Sequence, residues 1–162
     1  MSMKTSSAVQ PVPDGYHTVT PYLIINGAKK AFGAHEMFCM DQPGGKVGHA
    51  EIKIGDSIIM LADEYPDLGY RGPQALGGTP VSILLYVENV DQLFKRAIDA
   101  GGKELRPVQD QFYGDRSGTL ADPFGHVWTI ATHKEDLSPQ EISERASKWM
   151  AQHQKEKATA SA

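Results

Sequence analysis

The chain has 162 residues, of which 40% are hydrophobic and 22% charged, and its net charge is −4. This length and composition are those of an ordinary globular protein with one substantial core. The acidic balance argues against nucleic acid as the main partner. No stretch approaches the roughly 20 apolar residues that a membrane span needs. The N-terminus lacks the apolar segment of a secretory signal, so we expect a cytoplasmic protein.

The chain divides into three regions. Residues 1–15 are rich in serine, proline and small residues, which predicts a flexible N-terminal arm. Residues 16–133 hold every predicted strand, and residues 134–162 hold a C-terminal helix and tail. The strands are predicted at 17–25, 35–41, 46–54, 57–62, 80–88, 103–108, 114–121 and 126–132.

A segment rich in glycine and proline, Asp63–Thr79, splits these strands into modules of about 16–64 and 80–133. Loops of this length are often functional. The segment opens on the adjacent carboxylates Asp63 and Glu64. Paired carboxylates can perform acid–base work, but neighbouring strand residues point in opposite directions.

The two groups of strands resemble each other. Tyr22–Asn26 aligns with Leu85–Asn89, and Ser57–Ala62 aligns with His126–Ala131. The order of strand, connection and three strands repeats, which predicts a tandem duplication of a βαβββ unit. The expected fold class is therefore α+β, with two such modules and a C-terminal helix.

Helical signals differ between the modules. In the second module, apolar residues recur at helical spacing and are followed by Gly101. They are Val90, Leu93, Phe94, Ala97 and Ile98. The first module has only Gly27–Phe32 in the equivalent place, enough for about one and a half turns.

The C-terminal helix has a clear start signal. Ser138 and Glu141 form a capping box, with Pro139 at the first helical position. Its apolar stripe consists of Ile142, Ala146, Trp149 and Met150. The stripe either packs on its own domain or clamps a second subunit.

The segment Phe112–Trp128 is a hairpin closed by an Asp-Pro-Phe-Gly turn at Asp122–Gly125. It carries one arginine, Arg116, together with Phe112, Tyr113 and Trp128. An arginine among aromatic residues is either surface packing or one wall of a small-molecule pocket.

Five motifs in the expected order resemble the vicinal oxygen chelate superfamily of glyoxalases, bleomycin resistance proteins and dioxygenases, and are most similar to its PhnB-like branch. The motifs are Thr20–Ile24, Lys46–Ile52, Gly55–Ser57, Met60–Glu64 and Phe112–Trp128. The resemblance covers roughly residues 16–133. The resemblance implies two βαβββ modules whose mixed sheets curl around a ligand cavity, and a homodimer in many relatives.

Catalytic members of that superfamily hold a divalent metal with His and Glu from the first and last strands of each module. The repeat alignment puts those positions at Val19, Ser82, Met60 and Thr129. None is His or Glu, so we expect neither a metal nor another cofactor. A divalent metal is the alternative, because a slip of one or two residues brings His17 into reach.

The strand around His49 has one polar and one apolar face, since His49, Glu51 and Lys53 alternate with apolar residues. These side chains either lie in water or place His49 at the cavity mouth, where it can transfer a proton or bind an acidic ligand. Lys53 reads as solvated surface.

The hairpin offers further candidates. Arg116 either binds a carboxylate or phosphate of the ligand or pairs with a nearby aspartate at the sheet edge. Tyr113 and Trp128 either stack on an aromatic ligand or pack in the core. The candidate ligand-binding residues are therefore His49, Glu51, Tyr113, Arg116 and Trp128. The pattern identifies no catalytic residue.

These patterns favour a metal-independent small-molecule binding protein that forms a homodimer and binds neither nucleic acid nor membrane. The alternative is a metal-dependent lyase, isomerase or dioxygenase of the glyoxalase type. A third possibility is an interaction subunit whose cavity is filled by its own side chains.

Overall fold

The computed structural model describes residues 11–26 and 35–160. The chain divides into two compact units, residues 1–77 and 78–162. Each unit has its own four-stranded sheet. The short helix that the sequence predicts over Gly27–Phe32 lies outside the described residues.

The first unit is built on a mixed sheet. Its strands are β1 (Tyr22–Ile25), β2 (His35–Asp41), β3 (Val47–Ile54) and β4 (Ser57–Asp63). Their order is β1-β4-β3-β2, with β1 parallel to β4 and the other pairs antiparallel. Apolar side chains at alternating positions form its buried face: Leu23, Ile25, Ala50, Ile52, Ile59 and Leu61.

Strand β1 is shorter than the predicted strand at 17–25. Residues 17–21 do not join the sheet, and Val19 is 83% exposed. Pro21 has no amide hydrogen to donate, and only its carbonyl pairs, accepting the Met60 N–H at 3.0 Å. Because the ladder cannot continue past Pro21, the preceding residues leave the sheet.

The segment after β4 is an ordered loop. It contains a 3₁₀ turn at Pro66–Leu68 and a short helix, α1, at Pro73–Leu76. The carboxylate of Asp63 accepts the Val47 N–H at 2.6 Å, and that of Glu64 accepts the Gly72 N–H at 2.7 Å. Asp63 therefore joins the end of β4 to the start of β3, whereas Glu64 bonds within the loop.

The second unit repeats the topology of the first. Its elements are β5 (Ser82–Tyr86), α2 (Val90–Asp99), β6 (Lys103–Asp110), β7 (Asp115–Ala121) and β8 (Val127–His133). The strand order is β5-β8-β7-β6, and again only the first and last strands pair in parallel. The α+β class and the two curled, mixed modules that the sequence predicts are thus confirmed.

Helix α2 packs on the second sheet through Val90 and Phe94, which are both buried. Its N-cap is Asn89, whose side chain accepts the Gln92 N–H at 3.0 Å. A Cβ placed on Gly118 would lie 2.8 Å from the Phe94 ring and 2.8 Å from a Val108 methyl. The close approach of helix and sheet therefore requires glycine at this position.

The predicted turn at Asp122–Gly125 joins β7 to β8. One Asp122 carboxylate oxygen accepts the N–H groups of Phe124 and His126, each at 2.9 Å. Gly125 has a φ of 90°, in the left-handed region that favours glycine. Asp122 therefore fixes the turn, as the sequence predicts for an Asx residue.

The C-terminal helix, α3, spans Pro139–Ala160. The capping box is confirmed: the Ser138 amide donates to Glu141 at 2.9 Å, and the Glu141 amide donates to the Ser138 hydroxyl at 3.3 Å. The Trp149 ring lies 5.7 Å from that of Phe112 in the same unit. Trp149 remains 40% exposed and Met150 55% exposed.

We expect Gly118→Ala to lower the free energy of unfolding by about 1–3 kcal/mol, because a buried ring and methyl must move. Gly48→Ala is the matched control, since its Cβ also meets a side chain at 2.8 Å, but that neighbour is the flexible end of Gln42. Denaturant unfolding of both variants measures the difference. Equal stabilities would contradict the assignment of Gly118 as a packing position.

Candidate functional site

One face of the first sheet is buried, and the other is partly open to solvent. Along β3, Ala50 and Ile52 are buried, whereas His49 and Glu51 lie on the opposite side. Their side chains are each 22% exposed. The predicted alternation of β3 is thus confirmed, and this second side is called the open face below.

Strand register sets the neighbours of Glu51 on the open face. Met60 of β4 lies directly beside Glu51, and Tyr22 of β1 lies beside Met60. Phe38 of the edge strand β2 flanks Glu51 on its other side. Side chains in register point to the same face, so a phenol, a thioether, a carboxylate and an aromatic ring form one row.

A chain of hydrogen bonds crosses this face. The Tyr22 hydroxyl lies 3.1 Å from His49 Nδ1, and His49 Nε2 lies 3.3 Å from Glu51 Oε1. The Tyr16 hydroxyl also bonds to the Glu51 carboxylate. An ionised carboxylate only accepts, so Nε2 of a neutral His49 carries the hydrogen and Nδ1 accepts from Tyr22.

Glu51 is held in its ionised form. The hydrogen bond from Tyr16 is the main cause that lowers the pKa of Glu51, and His49 acts in the same direction. The same bond raises the pKa of Tyr16 to about 12, because an ionised phenol has no hydrogen to donate and is repelled by the carboxylate. Burial is the main cause that raises the pKa of Tyr22. The site therefore presents one anionic carboxylate flanked by neutral phenols.

Glu51 and Met60 line an open cleft of about 600 Å³, called the Glu51 cleft below. The remaining lining residues come from the segment before β1: Pro11, Val12, Pro13, Tyr16, His17, Thr18 and Thr20. This segment does not join the sheet, because β1 begins only after Pro21. Its residues therefore form the part of the cleft lining that does not come from the strands.

The observed register corrects the repeat alignment by one residue. In the first unit Tyr22 pairs with Met60, and in the second Leu84 pairs with Thr129. Tyr22 therefore corresponds to Leu84, not to Leu85. The first-strand residues that pair with Met60 and Thr129 are therefore Tyr22 and Leu84. Val19 lies before the start of β1.

The side chains at these positions do not fit a divalent metal. Met60 offers a thioether, which suits soft ions, and the Thr129 hydroxyl is bonded to that of Thr119 at 3.1 Å. His17 does line the Glu51 cleft, and its Nε2 lies 3.9 Å from an oxygen of Asp56. Within the described part of the chain, no three His, Cys, Asp or Glu side chains lie together as potential metal ligands.

Arg116 makes the ion pairs that the sequence offered as one alternative. Its Nε and Nη2 donate to Asp91 of α2 at 2.8 and 2.7 Å, and Nη1 donates to Asp110 of the edge strand β6 at 3.1 Å. The bonds to Asp91 and then Asp110 raise the pKa of Arg116, and the bond from Arg116 lowers the pKa of Asp91. The guanidinium therefore links helix and sheet.

Trp128 and Tyr113 differ in burial. Trp128 is 7% exposed, and its indole N–H donates to Asp122 at 3.0 Å. Tyr113 is 39% exposed, and its hydroxyl lies 3.4 Å from that of Ser117. Trp128 thus packs in the core of the second unit, whereas Tyr113 keeps an exposed surface. Ligand contact by Tyr113, Arg116 and Trp128 stays a prediction.

The second unit contains a polar cluster that the sequence patterns did not indicate. The Asp115 carboxylate, only 8% exposed, accepts from the Tyr86 hydroxyl at 2.8 Å and bonds to His133 Nδ1 at 2.8 Å. The bond to Asp115, followed by that to Asp136, raises the pKa of His133. The cluster ties together the ends of β5, β7 and β8.

Sequence reasoning also missed the two phenols of the open face. Tyr22 had no usable signal, because the run Tyr22–Ile25 is apolar throughout and does not separate the two faces of the strand. Tyr16 had none, because it lies outside every strand and meets Glu51 only through the fold. Within residues 11–26 and 35–160, no helix is long and apolar enough to cross a membrane.

The two modules share one strand topology and define a duplicated α+β fold. A family model described as the Glyoxalase/Bleomycin resistance protein/Dioxygenase superfamily matches residues 29–130. The chain belongs to this superfamily, which confirms the resemblance drawn from its five motifs.

Similar sequences occur in mycobacteria. An uncharacterized protein of Mycobacterium bovis is 38% identical over 134 residues, which cover 76% of this chain and 88% of that protein. An uncharacterized protein of Mycobacterium tuberculosis is also 38% identical, with 76% of this chain and 79% of that protein covered.

Solved structures share the fold. A Pseudomonas aeruginosa protein matches with a TM-score of 0.60 and 25% identity, covering 72% of this chain and 98% of its own. A PhnB protein of Bacillus cereus matches with a TM-score of 0.56 and 16% identity, covering 72% and 99%. TioX from Micromonospora matches with a TM-score of 0.53 and 22% identity, covering 71% and 98%.

We expect Glu51→Gln to lower the pKa of Tyr16 from about 12 toward its ordinary value of 10.0, because the acceptor loses its charge. Nuclear magnetic resonance of tyrosine Cζ carbons during a pH titration measures the change. Tyr86, whose pKa is raised by Asp115, is the internal control and stays raised. An unchanged Tyr16 titration would contradict the bond between Tyr16 and Glu51.

Proposed function

We propose that this chain is a metal-independent small-molecule binding protein whose ligand occupies the Glu51 cleft. The observation that carries this proposal is a cleft of about 600 Å³ that is lined by the hydrogen-bonded Glu51 carboxylate. The residue paired with Glu51 on the neighbouring strand is Met60, which also lines the cleft. That volume lies within the range of about 300–1,000 Å³ that is typical of small-molecule sites.

The lining supplies the two kinds of contact that a small ligand needs. Glu51 offers a charged acceptor held in place by Tyr16 and His49, and the hydroxyls of Thr18 and Thr20 add polar contacts. The proline and valine side chains at residues 11–13 and the Met60 thioether supply apolar surface. Specificity then comes from few polar groups on a mostly apolar wall.

The second candidate function is a metal-dependent lyase, isomerase or dioxygenase of the glyoxalase type. It is favoured by His17 and Glu51, which line the same cleft and are ordinary metal ligands. Catalytic zinc sites use about three protein ligands, and His17 and Glu51 supply two. The binding function therefore ranks first.

Metal analysis and ligand screening separate these candidates. We expect dialysed protein to contain no stoichiometric Zn, Ni, Mn or Fe. In a thermal-shift screen with glycopeptide and aromatic antibiotics, we expect at least one compound to raise the melting temperature in the presence of EDTA. His49→Ala should weaken that shift, because His49 positions Glu51, whereas the exposed Lys95→Ala should not.

Two results would count against the binding function. One is a transition metal that stays bound in stoichiometric amount through dialysis. The other is thermal stabilisation that EDTA abolishes and added metal restores. A screen in which no compound stabilises the protein would favour the interaction subunit.

We also propose that the chain forms a homodimer through α3. The support is Trp149, which touches Phe112 but keeps 40% of its surface exposed next to Met150. Half-buried tryptophans are frequent interface anchors. A cytoplasmic location is a further proposal, supported by the single cysteine, Cys39, which allows no intrachain disulfide.

Trp149→Ala is expected to weaken the dimer at least about tenfold, because anchor residues of this type contribute about 2 kcal/mol or more to association. Lys148→Ala, one residue earlier on the same helix, is the control and should leave the dimer unchanged. Deletion of residues 138–162 should abolish the dimer or cause aggregation. Sedimentation equilibrium measures all three, and a well-behaved truncation with unchanged association would contradict the role of α3.

A further inference from the structure

The charge of the Glu51 cleft is one-sided. Among the described residues that line it, Glu51 is the one carboxylate, and neither lysine nor arginine is present. Lys53, two residues further along the same face of β3, is exposed and is not part of the lining. A ligand in this cleft therefore meets the Glu51 carboxylate with neither lysine nor arginine among the described lining residues. The basic side chains near it in the described chain are His17 in the lining and His49, which is already bonded to Glu51.

Glu51 retains capacity to bind a ligand. An ionised carboxylate has about four acceptor positions, and within residues 11–26 and 35–160 Tyr16 and His49 occupy two of them. Its side chain is 22% exposed, so it is reachable from the cleft and still partly shielded from water. Partial shielding strengthens a charge-assisted hydrogen bond relative to one at a fully exposed carboxylate.

The other walls suit the body of an organic cation. Pro11, Val12 and Met60 offer apolar surface, and the Tyr16 ring offers a π-face to a nearby ammonium group. The hydroxyls of Thr18 and Thr20 can accept additional N–H bonds. These walls therefore accommodate an organic body, and the preference for a positive charge rests on Glu51.

We propose that the Glu51 cleft selects organic cations, that is, a primary or secondary ammonium group carried on an aromatic or aliphatic body. This inference rests on the proposed binding function and specifies its ligand class. The ammonium donates to Glu51, and the apolar body lies against the segment before β1.

Three probes that share a phenylethyl body and differ in the charge of the end group test the proposal by isothermal titration calorimetry: phenethylamine, 2-phenylethanol and 3-phenylpropanoate. We expect phenethylamine to bind at least about tenfold more tightly than the alcohol, because one charge-assisted hydrogen bond changes the dissociation constant by about that factor. The propanoate should bind most weakly. In Glu51→Gln the amine should bind no more tightly than the alcohol.

Two further variants keep the test independent of folding. Asp56→Asn removes the same net charge at a side chain that is 89% exposed, and it should leave the amine preference intact. Lys95→Ala changes an exposed side chain on α2 of the second unit, and it should retain the preference as well. Circular dichroism melting confirms that each variant is folded.

Several outcomes would overturn the inference. Equal binding of amine and alcohol to the unaltered protein would refute selection of cations while leaving a small-molecule cleft in place. Tighter binding of the propanoate would reverse the assigned charge. An equal loss in Asp56→Asn and Glu51→Gln would reduce the effect to net charge. Binding of none of the three probes would also overturn it, and the antibiotic screen with metal analysis then decides the binding function separately.

Discussion

The alternation of side chains along β3 is the constraint on which the site depends. Burial of Ala50 and Ile52 in the first unit forces His49 and Glu51 onto the other face of the sheet. The register with β4 then places Met60 beside Glu51. A shift of one residue would bury the carboxylate and expose the core, so the position of Glu51 is fixed by the same burial that holds the unit together.

The two modules use one topology in different ways. In the first, the sheet keeps an open face on which Tyr22, His49 and Glu51 are joined by hydrogen bonds beside a cleft. In the second, charged side chains make structural contacts, because Arg116 bonds α2 to the sheet and Asp115 bonds strand ends to each other. Duplication therefore supplies the fold twice, while the described cleft belongs to the first unit.

Local signals made much of this architecture predictable. The alternation along β3 and the turn at Asp122 depend on residues that are neighbours in the sequence, and the structure confirms both predictions. The alignment of the first strands was wrong by one residue, because Tyr22–Ile25 and Ser82–Tyr86 are nearly continuous apolar runs without alternation. The contacts of Tyr16 with Glu51 and of Arg116 with Asp91 were not predictable, because they join residues far apart in the chain.

The most direct test of a metal-free ligand cleft is the spectrum of the protein with ¹³C-labelled methionine methyl groups. Met60 lines the cleft, whereas Met150 lies on α3 and serves as the internal reference. In the presence of EDTA, we expect phenethylamine to shift the Met60 signal and leave Met150 in place. The metal-free ligand cleft would be contradicted if the amine left the Met60 signal unchanged and one equivalent of Mn²⁺ selectively broadened that signal once EDTA is removed.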